Sequence, residues 1–296
     1  MQELSIIKTV FLSIILEAFP FILLGIVISS IVQVLVPNDV FKKWLPKNMY
    51  VALIPATFLG FLLPVCECAI IPLVRGLIKK GLPLHLGIVM MISAPVINPI
   101  VILSTYFAFG DKPYMVLLRV GIIVLLSLMI GLISSKLFKK NQLRDIKGES
   151  NETIVSEGKE SAFRKVKHVL YHVNDETIST GKYIIFGAFI TAIIQTYMSR
   201  DVFASLSQSE AAAPLFAMTF AYILSICSSS DAFIAASFKG IFSTSASLAF
   251  LTYGPVFDFK NTIIMLSYFK VRFVLTMFVL VSVLVYVMCL SVGFLM

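Results

Sequence analysis

The chain has 296 residues, 58% of them hydrophobic and only 14% charged, whereas a soluble domain is about 25% charged. Apolar runs of about 25 residues recur, and a bilayer-crossing helix needs roughly 20. A soluble enzyme is therefore excluded, and an all-α, polytopic membrane protein is expected. The formal net charge of +8 does not point to nucleic acid, because basic residues beside apolar spans set topology. Membrane lipids and a small solute or ion are the expected partners, together with a partner membrane protein if the chain is one subunit of a complex.

About eight transmembrane helices are predicted, at 10–36, 50–78, 84–109, 114–137, 180–199, 213–238, 244–269 and 271–295. The first run is too long for a signal-peptide core and no small-residue cleavage site follows it, so it reads as a retained helix. Glu17, just before Pro20, either faces a central cavity or sits near an interface. In span two the run Leu63-Pro64-Val65-Cys66-Glu67-Cys68-Ala69-Ile70-Ile71-Pro72 carries two prolines. Proline removes a backbone donor and crowds the preceding turn, so a break is expected around the cysteines. In span three Pro95 and Pro99 bracket Asn98. Arg75, Lys79 and Lys80 end span two as an anchor, and Arg119, Lys270 and Arg272 are expected to snorkel at the outer boundary.

The one long polar stretch runs from Lys139 to Thr180. Counted from Lys139 to Lys182 it holds nine Lys and Arg and seven of the chain's sixteen acids. Residues 141–160 have a disordered composition. From Ala162 to Val173 the apolar residues Phe163, Val166, Val169, Leu170 and Val173 recur at helical spacing among Arg164, Lys165 and Lys167, as in a basic amphipathic helix lying on an anionic leaflet. His168 and His172 on it read as a solvated face rather than a metal pair. The domains are then residues 1–138, a first transmembrane repeat; 139–179, a cytoplasmic polar linker with an amphipathic helix; and 180–296, a second transmembrane repeat.

The halves echo each other. Gly25, Gln33 and Asp39-Val40-Phe41 recur 162 residues later as Gly187, Gln195 and Asp201-Val202-Phe203, and Cys66 recurs at Cys227. Ala94-Pro95-Val96 becomes Gly254-Pro255-Val256. Four spans per unit make both copies point the same way, related by an axis along the membrane normal. Should Cys66 or Pro95 instead mark a re-entrant pair, the count rises to five per unit and the repeats invert. With the linker inside, fifteen cations fall on the inner side and eight on the outer, with Lys260 in mid-span, so both termini are expected in the cytoplasm of a multi-pass plasma-membrane protein.

Matched interruptions in two halves point to a transporter's substrate site, and charges in such breaks are costly unless they serve a function. The expected solute or ion pathway comprises Cys66, Glu67, Cys68, Pro95 and Asn98 from the first half. From the second half it takes Cys227, Ser228, Ser229, Ser230, Asp231, Pro255, Asp258 and Lys260. Cys66, Cys68 and Cys227 are candidate ligands for soft metal or metalloid ions, or else small packing residues. Glu67 and Asp231 could carry a coupling proton or form a static ion pair with Lys260. Asn98 and Asp258 could bind substrate or cap a half-helix. Cys289 reads as packing. No Walker motif, Ser-His-Asp set or metalloprotease helix occurs, so no catalytic residues and no cofactor are expected.

The runs PVCECAIIPLVRGLIKKG and SAPVINPIV, with CSSSDAFIAASFKG and YGPVFD in the second half, resemble the predicted permease family that contains the methylarsenite-efflux permeases. The resemblance covers most of the chain and implies a cytoplasmic-membrane permease effluxing a small solute such as a metal, metalloid or organoarsenical. It also implies trivalent organoarsenicals at the cysteines of the first block, where only Cys66 and Cys68 match. Glu67 stands where the family commonly has a small residue, and Asp231 ends the serine run; both imply a more acidic cavity, suited to a cation or to proton coupling. Two other functions remain open: a membrane subunit of a multi-component complex without transport of its own, and a membrane thiol oxidoreductase using Cys66 and Cys68.

Overall fold

The structure, a computed structural model, describes residues 2–35, 49–62, 66–138, 142–144, 162–197, 211–238 and 242–295. Twelve helices lie among the described residues, with no strand. The first six are α1 (Gln2–Leu35), α2 (Met49–Leu62), α3 (Glu67–Lys79), α4 (Leu84–Ser93), α5 (Pro99–Ala108) and α6 (Tyr114–Leu137). The second six are α7 (Ala162–Tyr197), α8 (Ala212–Leu224), α9 (Asp231–Ser237), α10 (Thr244–Tyr253), α11 (Phe259–Tyr268) and α12 (Val271–Leu295). Each half is thus one long helix, four short ones and another long one. The interrupted spans two, three, six and seven are each two half-helices. The amphipathic segment and span five instead form one continuous helix, α7, because no proline separates them. Within segment 141–160 only residues 142–144 are described, and Pro64 lies outside the described residues.

Four helices, α1, α6, α7 and α12, are long and apolar enough to cross a membrane. Their surfaces agree with a lipid environment. On α12, Met277, Val281, Val285 and Cys289 are buried, while Leu275, Val279, Val283 and Val287 are more than half exposed. A helix apolar on both faces buries one in the bundle and offers the other to hydrocarbon.

Pro20, Pro55 and Pro72 sit inside helices without ending them. The breaks have local causes. Asn98 caps α5, its Oδ1 accepting from the Ile100 N–H at 3.0 Å, with Pro99 at the first helical position. Asp258 caps α11 in the same way through the Asn261 N–H. In span six α8 ends at Ser225, a non-glycine residue in the left-handed region at φ 47°.

Part of the packing of the two halves matches, although α1 packs on α3 while its equivalent α7 packs on α11. The contacts of α2 with α4, α4 with α6 and α5 with α6 reappear as α8 with α10, α10 with α12 and α11 with α12. Contacts also cross between the halves, among them α3 with α11 and α9 with α5, which exchange under the same correspondence.

Chain direction corrects one expectation. Leu143 pairs with Phe269 as an isolated antiparallel bridge, with Arg144 N–H donating to Tyr268 O at 2.8 Å and Lys270 N–H to Gln142 O at 3.0 Å. The end of α6 and the start of α12 therefore share a face, here called the linker face, and these equivalent helices run in opposite directions. The same holds for α1 and α7. Phe11 meets Phe189 edge-on, while further along α1 Ser29 Oγ donates to Pro72 O of α3, and α3 carries Arg75, paired with the earlier α7 residue Glu176. The repeats are inverted, not parallel. Both termini lie on the face opposite the linker, and Lys270 lies on the linker face, not beyond the far boundary.

The cause is the second span. Thr57 Oγ1 of α2 lies 3.4 Å from Ser127 Oγ of α6, and Leu53, nearer the linker face, packs on Gly131. So α2 enters from the linker face, and α3 returns to it with Arg75. The pair dips in and out instead of crossing, leaving three crossings per unit. An odd number inverts the copy.

Gly25 lets α1 touch α3, since a Cβ there would lie 2.7 Å from Ala69 O and 2.9 Å from Ala69 Cα. Small residues at such crossings allow close backbone approach. Gly25→Ala should destabilise the protein by about 1–3 kcal/mol through overpacking against backbone, seen as a lower melting temperature in detergent; an unchanged value would refute this contact.

Candidate functional site

The half-helix ends converge. Ser228 Oγ donates to Glu67 Oε2 at 3.3 Å, a contact between residues 161 apart. That is the same offset that relates Cys66 to Cys227. Equivalent residues of the two halves touch only where the pseudo-two-fold axis passes, so Glu67 and Ser228 sit on it. Glu67 opens α3 and is 3% exposed.

Around Glu67 lie four more buried charges. Lys260 Nζ is 3.9 Å from Glu67 Oε1 and 3.8 Å from Asp258 Oδ2. Arg119 Nη2 donates to Asp231 Oδ2 at 2.6 Å and its Nη1 to Thr105 Oγ1 at 2.6 Å. Nη2 also reaches the Ser228 carbonyl at 3.5 Å. Arg119 on α6 thereby ties α5 to α9, one of the contacts between halves. Ser225 Oγ accepts from the Lys260 N–H at 3.3 Å, which holds the start of α11 against the strained end of α8.

A cavity of about 20 Å3 adjoins this cluster, with Glu67 and Asn261 as its polar lining and Ile70, Met91 and Phe273 among its apolar lining. A wider cavity of about 300 Å3 lies between Tyr114, Ser245 and Phe294, at the face that carries the termini.

Of the residues expected to line a pathway, Glu67, Asp231, Asp258, Lys260 and Ser228 are brought together by hydrogen bonds and ion pairs. Asn98, Pro95 and Pro255 are buried at the breaks, with Asn98 serving as a cap. Ser230 is exposed and stands outside the cluster. Cys66 and Cys227 are half-buried and Cys68 is buried, all as free thiols. Cys227 Sγ accepts from Ser229 Oγ at 3.6 Å. Among the described residues no three His, Cys, Asp or Glu side chains converge to hold a metal ion. Glu17 is exposed on α1 and does not face the cavity. The side chains of His168 and His172 lie outside the described residues. Cys289 packs, with Thr252 Oγ1 at 3.8 Å.

Three features escaped the sequence reading. Arg119 does not snorkel: it is 1% exposed and completes the cluster. The signal was its place, five residues inside an apolar helix. Asn261, beside Lys260, lines the cavity. On the linker side, Arg75 pairs with Glu176 at 3.3 Å and lies 4.8 Å over the Tyr268 ring, while Tyr268 Oη and Thr180 Oγ1 hydrogen-bond. Nothing in the sequence linked these three elements.

A sequence family described as a predicted permease, of the ArsP type, matches residues 3–294. The chain is 42% identical over 279 residues, 94% of each chain, to the UPF0718 protein YcgR of Bacillus subtilis (strain 168). It is 36% identical over 284 residues, 96% of this chain and 94% of the relative, to a Streptococcus mutans protein named as a proposed subunit of a two-component membrane permease complex. No solved structure matches.

Proposed function

The chain belongs to this predicted permease family, and we propose that it moves a small solute through the cluster at its pseudo-two-fold axis. The observation that carries this reading is the contact of Glu67 with Ser228, joining the broken helices of both inverted halves around buried charge. Inverted repeats with discontinuous helices at mid-depth are a recurring transporter design, in which one unit moves against the other around a fixed site. Buried charge at that depth is expensive and marks a pathway by default. The solute would pass Glu67, Asp231, Asp258 and Lys260, with Cys66, Cys68 and Cys227 alongside. Metal ions, metalloids and organoarsenicals are the first candidates, and efflux the expected direction.

The test is the retained content of metals, arsenicals and alkali ions in cells making the wild-type chain or Glu67→Gln, measured by elemental mass spectrometry. At least one solute should be lower with wild type. Identical profiles, with both proteins in the membrane, would refute transport by this chain alone.

The inverted fold also bears on orientation. Among the described residues, Arg75, Lys79, Lys80, Lys136, Arg144, Lys182, Lys270 and Arg272 lie toward the linker face. Lys8 and Lys112 lie toward the other face, with Arg119 and Lys260 buried inside. This sharper asymmetry supports a cytoplasmic linker and termini outside. A C-terminal alkaline phosphatase fusion should be active and a C-terminal GFP fusion dark, with the reverse for insertions near residue 150. Matching readings at the two sites would refute inversion.

A second reading makes the chain one half of a two-part permease. Glu17 favours it: a carboxylate exposed within the apolar stretch of α1 is costly against lipid, and a neighbouring membrane helix would shield it. The Streptococcus mutans relative's name is consistent with this. Transport restored only on co-expression of a partner would distinguish it from the first reading.

A further inference from the structure

We propose that a single small monovalent cation, of sodium size, binds between the Glu67 carboxylate and the Asn261 amide oxygen at the pseudo-two-fold axis. Charge balance is the first ground. The axis cluster contains three carboxylates, on Glu67, Asp231 and Asp258, and two cations, on Arg119 and Lys260, all 6% exposed or less. One negative charge is left over, and a monovalent cation cancels it where a divalent one would overshoot.

Unsatisfied acceptors are the second ground, independent of charge. Among the described residues Asn261 Oδ1 is buried with no hydrogen-bond donor, as is Asp231 Oδ1. Buried polar atoms are paired in nearly all native structures, and the exceptions call for an explanation. Asn261 is 1% exposed and lines the cavity with Glu67. Both polar side chains of that lining can present oxygen, the ligand that hard cations take. Unwound backbone at half-helix ends is a further supply of oxygen in transporters, and Pro255, Val256 and Phe257 of the α10–α11 break line the same cavity.

Size is the third. A cavity of about 20 Å3 admits one guest the size of a water molecule. It excludes a hydrated ion and any organic cation. Lys260 does not take the place: it is absent from the lining and stands on the Oε1 side of Glu67 at 3.9 Å, too far for a hydrogen bond.

The inference rests on the permease reading for the cation's role, as coupling ion, but its binding is measurable without transport. Purified full-length protein in detergent is melted as NaCl, LiCl or KCl replaces choline chloride at fixed pH and ionic strength. A ligand of the native state raises the melting temperature with the logarithm of its concentration above Kd. Wild type should respond to Na+ or Li+ at millimolar levels. Glu67→Gln should lose the response. Asn261→Ala, which keeps the charge and the backbone N–H that Asp258 uses, should need at least ~10-fold more cation if the amide supplies one oxygen of a small ligand set. Equal melting in Na+ and choline, or an undiminished response in Asn261→Ala, would overturn the site, as would stabilisation by low pH alone, which would assign the surplus charge to a proton. If transport fails while the Na+ response holds, the cation site stands and the permease reading falls.

Discussion

Replacing Glu67 by Gln is expected to bring transport down to the level of membranes lacking the protein, with yield and melting temperature close to wild type. The exchange is nearly isosteric, and Ser228 Oγ can still donate to the amide oxygen that replaces Oε2. What disappears is the charge on the axis, toward which Lys260 Nζ points at 3.9 Å. The loss is of function because Glu67 sits where the broken helices of both halves meet, on α3 of its own half and against Ser228 of the other. Folding should survive, since removing one of three clustered carboxylates also relieves like-charge repulsion. Vesicle uptake and thermal unfolding of the same preparation check both halves of the statement. Wild-type transport by Glu67→Gln would remove it from the mechanism.

Arg119→Leu should have the largest effect on stability, about 3–5 kcal/mol, the range seen when one partner of a buried ion pair is deleted. Asp231 would keep its burial and lose its 2.6 Å donor, and Thr105 Oγ1 and the Ser228 carbonyl would lose theirs. The damage falls between the halves, because Arg119 belongs to α6 and Asp231 to α9. The double variant Arg119→Leu with Asp231→Leu should recover much of the loss, because replacing both partners by apolar groups removes the uncompensated charge. Melting temperatures of the two singles and the double give the coupling directly. Additive losses would show that the two side chains act independently.

The membrane class and the sites of interruption were legible because each is written locally. Hydropathy over 20–25 residues decides what surface a helix can show to lipid. Asn98-Pro99 and Asp258 carry the capping chemistry that starts α5 and α11. The buried charge was legible too, since Glu67, Asp258 and Lys260 lie in those breaks, where charge is hard to place otherwise.

Direction was not written locally. The same apolar run broken at Cys66 can cross the bundle or turn back, and proline only opens the helix without choosing between them. Thr57 against Ser127, and Arg75 against Glu176, decide it, and both are contacts between distant segments. That choice inverted the second repeat and moved the termini to the face opposite the linker. Partners were likewise out of reach. Arg119 reads from sequence as a boundary residue, yet its carboxylate lies 112 positions away, on a helix that only packing brings near. The sequence by itself determined that this is a membrane protein with broken helices and buried acids, because solvation and capping act within a few turns. Only the tertiary structure decided which way the copies point and which charges meet, because those follow from which helices pack together.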